Sequence, residues 1–258
     1  MKFALITGAS GGIGLCIARE LAQRECNLLL VARSADKLST LARQLENEFS
    51  IKTDYLAIDL SNPAAIPTLA EWIQTKHYAI DVLVNNAGYG LWGRVDATSA
   101  DQLNNMMQLN MSTVVNMCHA LLPTLRQQPQ AYIMNIASTA AYQAVPTLAT
   151  YAASKAFVVL FTRGLRKELK NSTVSVTCVS PGATSTNFID RAGMDSLKER
   201  AEKFSMKPEA VAKIAVAGMY NGKAEVIPGL ANWLSVQLTY LVPKFITEQI
   251  AEGLYQTK

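Results

Sequence analysis

Apolar positions along the chain come in two alternating rhythms. Short runs rich in Val, Ile and Leu, apolar on both faces, fall at 3–6, 27–32, 54–58, 80–85, 131–136, 173–179 and 224–227. Uninterrupted apolar runs of this length read as strands covered on both sides, the pattern of a parallel sheet. Between them apolar residues recur at helical spacing. Helices are predicted over 13–24, over 35–49 with Leu38, Leu41, Leu45 and Phe49 on one side, over 150–169, and over 207–220. The last opens on Pro208, where a missing N–H costs nothing. A long pattern over 101–125 reads as two helices meeting near Asn110, and a further helix starts near Asn62 and Pro63. The alternation predicts a single α/β domain over 1–258, a doubly wound Rossmann-type parallel sheet of about seven strands with helices on both faces and right-handed crossovers. Two stretches stand outside the pattern: 183–206, after the sixth strand, and the tail 229–258.

Residues 7–14 read TGASGGIG, directly after the first strand and at the opening of a helix. Gly8 permits a tight turn, Gly12 lets the backbone approach a pyrophosphate, and Gly14 allows helix and strand to pack closely. Ser10, Gly11 and Ile13 complete the turn. The helix N-terminus offers free N–H groups and a partial positive charge to phosphates. A glycine motif alone is weak evidence, but here it has the strand–turn–helix context that makes it specific. The second strand runs into Arg33. A carboxylate at this point, about 20 residues on, would bind the ribose 2′-hydroxyl of NAD and repel a 2′-phosphate. Arg33 attracts that phosphate and can stack on adenine, so the expected cofactor is NADP(H).

Further on come Asn85, Asn86, Ala87 and Gly88 at the end of the fourth strand, Ser138 just after the fifth, and YAASK at 151–155 opening a helix. Four residues are about one helical turn, so Tyr151 and Lys155 share a face. An ammonium beside a phenol favours the phenolate and makes tyrosine a usable acid or base nearer neutral pH. A Y-x-x-x-K pair by itself means little; its surroundings give it weight.

The order of these landmarks resembles the short-chain dehydrogenase/reductase family in its common form, over residues 3 to 228. To those above it adds Asp59 and Leu60 after the third strand, Asn110, Pro181 with Gly182, and Thr186. The resemblance implies that Tyr151 moves the proton to or from the substrate oxygen, and that Ser138 orients that oxygen. It implies that Lys155 holds the nicotinamide ribose, and that Asn110 holds a water through its backbone. Asp59 and Leu60 would line the adenine pocket, and the backbone of Asn86, Ala87 and Gly88 would follow the adenine-side ribose. Pro181, Gly182, Thr184 and Thr186 would hold the carboxamide. Simpler roles compete: Asn85 ties strands together, Asp59 caps the helix near Asn62, and the hydroxyls at 184–186 serve only their loop.

Composition narrows the choices. Charged residues are 17% of the chain, the net charge is +4, and no run of one sign appears. Arg163, Arg166, Lys167 and Lys170 recur at helical spacing and read as a solvated helix face, so no nucleic-acid partner is expected. The four cysteines, Cys16, Cys26, Cys118 and Cys178, form no C-x-x-C pair. They read as buried free thiols without a metal, which fits a reducing compartment. The first strand begins at once with no secretory leader, and no apolar run reaches the ~18 residues of a membrane span. The expected location is cytoplasmic.

The segment 183–206 is expected to act as a substrate lid, with Phe188, Ile189 and Met194 excluding water. Tyr89, Leu91, Trp92, Tyr142, Val145 and Pro146 are expected to add to an apolar pocket. These favour a small hydrophobic carbonyl or alcohol as substrate. A 3-oxoacyl thioester reductase of fatty-acid metabolism and a non-catalytic NADP(H)-sensing protein are the competing functions. A nucleotide-sugar epimerase fits less well, because about 30 residues beyond the last strand are too few for the usual second domain. The tail is expected to cover the pocket, to form a subunit interface, or to lie on a membrane surface, in that order. The long helices suggest a homodimer or homotetramer.

Overall fold

All seven expected strands form; most are apolar on both faces and are buried between helices, while the edge strand Thr53–Ala57 is only partly buried. The computed structural model describes residues 2–186, 192–193 and 205–255. The strands are β1 (Lys2–Thr7), β2 (Asn27–Ala32), β3 (Thr53–Ala57), β4 (Ala79–Asn85), β5 (Ala131–Ile136), β6 (Val174–Val179) and β7 (Glu225–Val226). They pair in the order β3-β2-β1-β4-β5-β6-β7, every pair parallel. The order reverses between β1 and β4, the place where sheets of this kind open a crevice at their carboxyl edge.

The helices are α1 (Gly12–Ala22), α2 (Ala35–Phe49), α3 (Ala65–Thr75), α4 (Ala100–Met107), α5 (Thr113–Arg126), α6 (Ala149–Glu168) and α7 (Pro208–Tyr220). Two more, α8 (Leu230–Leu241) and α9 (Lys244–Tyr255), make up the tail. One apolar layer joins α1, α2 and α7 to one face of the sheet; a second joins α3, α5 and α6 to the other. The junction expected near Asn110 is a π-helical turn, Gln108–Ser112, between α4 and α5. Such widened turns are common at functional sites.

The sheet interior holds one polar chain. Asn85 Nδ2 donates to Asn135 Oδ1 at 2.8 Å, and Asn135 Nδ2 donates to Thr162 Oγ1 at 3.0 Å, all three residues buried. Asn85 thus ties β4 to β5 and α6. Two of the competing expectations need correction. Asp59 does not cap α3, which begins only at Ala65; its Oδ1 accepts from the Ser61 N–H and hydroxyl. The basic residues of α6 are not simply solvated. Arg166 donates to the carbonyls of Val176 and Gly222 at 2.7 and 2.8 Å, and Arg163 pairs with Glu225 at 3.2 Å. The lid residues Phe188, Ile189 and Met194 lie outside the described residues.

Asn135→Leu removes an acceptor and a donor from buried partners. It should destabilise the chain by about 2–4 kcal/mol, the cost of stranding two polar groups, measured by urea unfolding.

Candidate active site at the carboxyl edge of the sheet

Because every strand is parallel, residues just past the strand ends meet along one edge. Gly8 follows β1, Arg33 follows β2, Asp59 lies beyond β3, Asn86 follows β4, Ser138 lies beyond β5, and Pro181 with Gly182 lies beyond β6. Arg33 stands exposed at that edge, and Leu60 is buried in it.

The glycine turn is closed on its inner side and open on its outer side. Thr7 Oγ1 accepts from the N–H groups of Asn86 and Ala87, both at 3.0 Å, and donates to the Val84 carbonyl at 3.2 Å. Asn86 Nδ2 donates to the carbonyls of Thr7 and Gly8 at 2.9 and 3.3 Å. That side chain fills the space beneath the turn: a Cβ at Gly14 would sit 2.4 Å from Asn86 Nδ2 and from the Gly8 carbonyl oxygen. On the outer side a Cβ at Gly11 would meet nothing within 4 Å, and one at Gly12 would meet only the Thr186 side chain, at 3.3 Å. The first turn of α1 carries no acidic residue, and no side chain caps it. An open cradle of N–H groups at a helix N-terminus suits a pyrophosphate. Ser10 and Ile13 flank it. Thr7 and the inner-side role of Asn86 were not foreseen. An Asn and a strand-end Thr near glycines occur in many turns, so only the contact reveals them.

At the centre of the edge lies Lys155, buried with Tyr151 one turn before it on α6. Lys155 Nζ donates to the Ile136 carbonyl at the end of β5, 3.0 Å away, and lies 5.9 Å from the centre of the Tyr151 ring. Asn110, fully buried in the π-helical turn, uses its whole side chain. Its Oδ1 accepts from the Tyr89 N–H at 3.1 Å; its Nδ2 donates to the Tyr89 carbonyl at 2.9 Å and to Ser154 Oγ at 3.0 Å. Ser154 Oγ in turn donates to the Tyr151 carbonyl at 2.7 Å. Gly88 makes this closeness possible: a Cβ there would sit 2.9 Å from Asn110 Oδ1 and 3.3 Å from Lys155 Nζ. Ser138 caps the short helical turn Thr139–Tyr142, its Oγ accepting from the Ala140 N–H at 3.2 Å. The Thr139 N–H donates to the Pro181 carbonyl at 2.9 Å, and Thr184 Oγ1 donates to the Gly182 carbonyl at 3.0 Å.

Tyr151 packs in an apolar cluster with Met106, Val145, Leu148, Ala152 and Ala192, joined by Tyr89, Leu91 and Trp92. Four of the expected pocket residues, Tyr89, Leu91, Trp92 and Val145, are therefore here. Tyr142 and Pro146 are not. Tyr142 bonds to Ser180 and Glu225 and packs edge-on to Tyr240 of the tail. Burial, with Glu225 beside it, pushes its hydroxyl well above the ordinary tyrosine range. Both residues line a cleft of about 540 Å³ between the start of α6 and the tail, together with Val145 and Ala152 of the Tyr151 cluster. Within the Tyr151 cluster one polar atom stands out: Trp92 Nε1 is buried without a hydrogen-bond partner among the described residues.

The family model for short chain dehydrogenases matches residues 2–197. The chain belongs to that family. An uncharacterized oxidoreductase of Staphylococcus epidermidis is 32% identical over 185 residues, covering 72% of this chain and 79% of the relative. A short-chain dehydrogenase from Sphingobium yanoikuyae in complex with NADPH superposes with a TM-score of 0.83 at 30% identity, covering 93% of this chain and 94% of that one. An alcohol dehydrogenase from the archaeon Thermococcus sibiricus, complexed with 5-hydroxy-NADP, gives 0.78 at 28% identity over 88% and 95%. The chain is an oxidoreductase of this family. Among its described residues no helix is long and apolar enough to cross a membrane.

Burial pushes the Lys155 ammonium down from 10.5 to about 8. A depressed lysine pKa means that the folded chain sheds this proton before the unfolded chain does. Stability should therefore rise with pH between about 8 and 10.5, by at most ~1.4 kcal/mol per pH unit, and the ammonium's cost is fully present below that window. Lys155→Met removes the term. The stability of the unsubstituted chain minus that of Lys155→Met should thus increase from pH 8 to pH 10 in urea unfolding without nucleotide. A flat difference would show that burial does not lower the Lys155 pKa in the folded chain.

Proposed function

We propose that this chain interconverts a carbonyl and an alcohol on a small hydrophobic molecule, with NADP(H) as the hydride carrier. The observation that carries this reading is the buried Lys155 Nζ, set between the Ile136 carbonyl and the Tyr151 ring at the edge where the glycine turn opens. A buried lysine is costly and needs a use or a partner.

The open cradle fits a dinucleotide. Gly8, Ser10, Gly11, Gly12, Ile13 and Gly14 would hold the pyrophosphate. Arg33 would hold the 2′-phosphate, and Asp59 with Leu60 the adenine. Asn86, Ala87 and Gly88 would pass the ribose, and Lys155 with Tyr151 would reach the nicotinamide ribose. Pro181, Gly182, Thr184 and Thr186 would hold the carboxamide. When bound, the reduced nicotinamide supplies a hydride to the carbonyl carbon. The chain's own residues manage the proton. Tyr151 Oη gives it to the substrate oxygen, Ser138 Oγ hydrogen-bonds the same oxygen, and the Lys155 ammonium favours the phenolate left behind. The backbone at Asn110, in the widened turn, would hold the water that returns the proton from solvent. In the opposite direction each step reverses.

The apolar walls from Leu91, Val145 and Leu148 favour a hydrophobic substrate. Trp92 Nε1, without a partner among the described residues, would suit an acceptor on it. The NADPH and 5-hydroxy-NADP complexes of the two related structures support the choice of cofactor, as does the exposed Arg33.

Tyr151→Phe should keep NADPH affinity while lowering turnover about 10²–10⁴-fold, the worth of a positioned proton donor, on a panel of hydrophobic ketones and aldehydes. Activity surviving in this variant would remove Tyr151 from the reaction. Arg33→Asp should lower the kcat/KM ratio of NADPH over NADH by about 10–100-fold, the worth of one charge-assisted contact. An unchanged ratio would assign the 2′-phosphate elsewhere.

A further inference from the structure

The side chain of Asn232 joins the tail to the Pro181–Gly182 turn. Gly229, with φ at 90°, precedes α8, and Asn232 stands in the helix's first turn. Asn232 Nδ2 donates to the Pro228 carbonyl at 2.7 Å and lies 3.7 Å from Met206 Sδ. The amide lies directly against Gly182: a Cβ there would fall 2.4 Å from Asn232 Oδ1 and 2.6 Å from its Nδ2. The amide cannot flip cheaply, because that would set its oxygen against the Pro228 oxygen, two acceptors without a proton between them.

Met206 ties in another segment. Its N–H donates to the Ala183 carbonyl and its carbonyl accepts from the Ser185 N–H, both at 3.0 Å, with Thr184 and Met206 paired in parallel. Gly182 has no side chain of its own to fix the turn, and ordering a free backbone residue costs conformational entropy. The amide of Asn232, from a distant segment, fills the place that a side chain would have taken. The far side of the turn is already held by Thr139, next to Ser138.

We infer that Asn232 is a positioning residue for the cofactor: it fixes the Pro181–Gly182 turn against which the carboxamide rests in the reading above, on which this inference depends. The tail is then part of the nucleotide site. Its contribution is made through Gly182, and it does not touch the reacting atoms.

The test is a double-mutant cycle on the full chain, using Asn232→Ala, Gly182→Ala and both together. Each protein is titrated with NADPH by nicotinamide fluorescence and melted without nucleotide. Asn232→Ala should weaken NADPH binding about fivefold to tenfold, within the range of coupling between touching residues. Gly182→Ala should weaken it further, because the new methyl must displace the amide. Adding Asn232→Ala to Gly182→Ala should then restore affinity, so that one substitution costs binding in the first background and recovers it in the second. Additive losses, an Asn232→Ala protein with full affinity, or an affinity loss that merely follows a fall in Tm would overturn the inference. Should Gly182→Ala fail to fold, the affinity of Asn232→Ala, with its Tm as control, decides alone. An unsubstituted chain that binds no nicotinamide nucleotide sinks the reading of the site and this inference together. Tight binding that is indifferent to Asn232 sinks only the inference.

Discussion

A lysine ammonium held inside a protein is the constraint around which this site is arranged. Removing such a charge from water costs several kcal/mol unless partners replace the lost hydration. Lys155 finds one in the Ile136 carbonyl, at the point where β5 ends and its last backbone group is free to accept. That position exists only because β5 stops there, because α6 packs across the sheet, and because Gly88 leaves room for Nζ and for Asn110 together. A side chain at 88 would push against both. The lowered pKa of Lys155 records the remaining, uncompensated part of the burial cost.

The surrounding structure serves that placement. A parallel sheet buried on both faces is rigid and sets six strand ends side by side, so residues far apart in sequence reach one edge without long loops. Polar groups inside it are paired, as in the Asn85–Asn135–Thr162 chain, which locks the two central strands to the helix that carries Tyr151 and Lys155. The π-helical turn puts Asn110 into the same layer. There its side chain holds the loop at Tyr89 and reaches Ser154, one residue before Lys155. The tail adds a further tie, through Tyr240 against Tyr142 and through Asn232 against Gly182.

Much of this was legible in the sequence, for physical reasons. Strand runs such as NLLLVA and DVLVNN are apolar on both faces and leave little choice but a parallel sheet, and all seven appear within a residue or two of their expected limits. The glycine turn was readable from its strand–turn–helix context, and Ser138, Tyr151 and Lys155 from the resemblance their order carries; the structure sets all of them along one edge of the sheet. Long-range polar contacts were not. Thr7 beneath the turn, Ser154 beneath Asn110, and Asn232 against Gly182 each depend on a fold-level meeting that no local spacing records. The partners of Tyr142 were hidden for the same reason: the short helical turn carries it toward Glu225 and the tail, in the cleft it lines with Val145 and Pro146. Arg166 looked like a surface charge by periodicity, yet the carbonyls of Val176 in β6 and Gly222 in the turn after α7 capture it.

The central claim is that the carboxyl edge of this sheet is a site for NADP(H). The most direct measurement is a side-by-side titration of the unsubstituted protein with NADPH and with NADH, following nicotinamide fluorescence before any substrate is tried. The account predicts tight, saturable binding of NADPH and much weaker binding of NADH. Binding of neither nucleotide would contradict it.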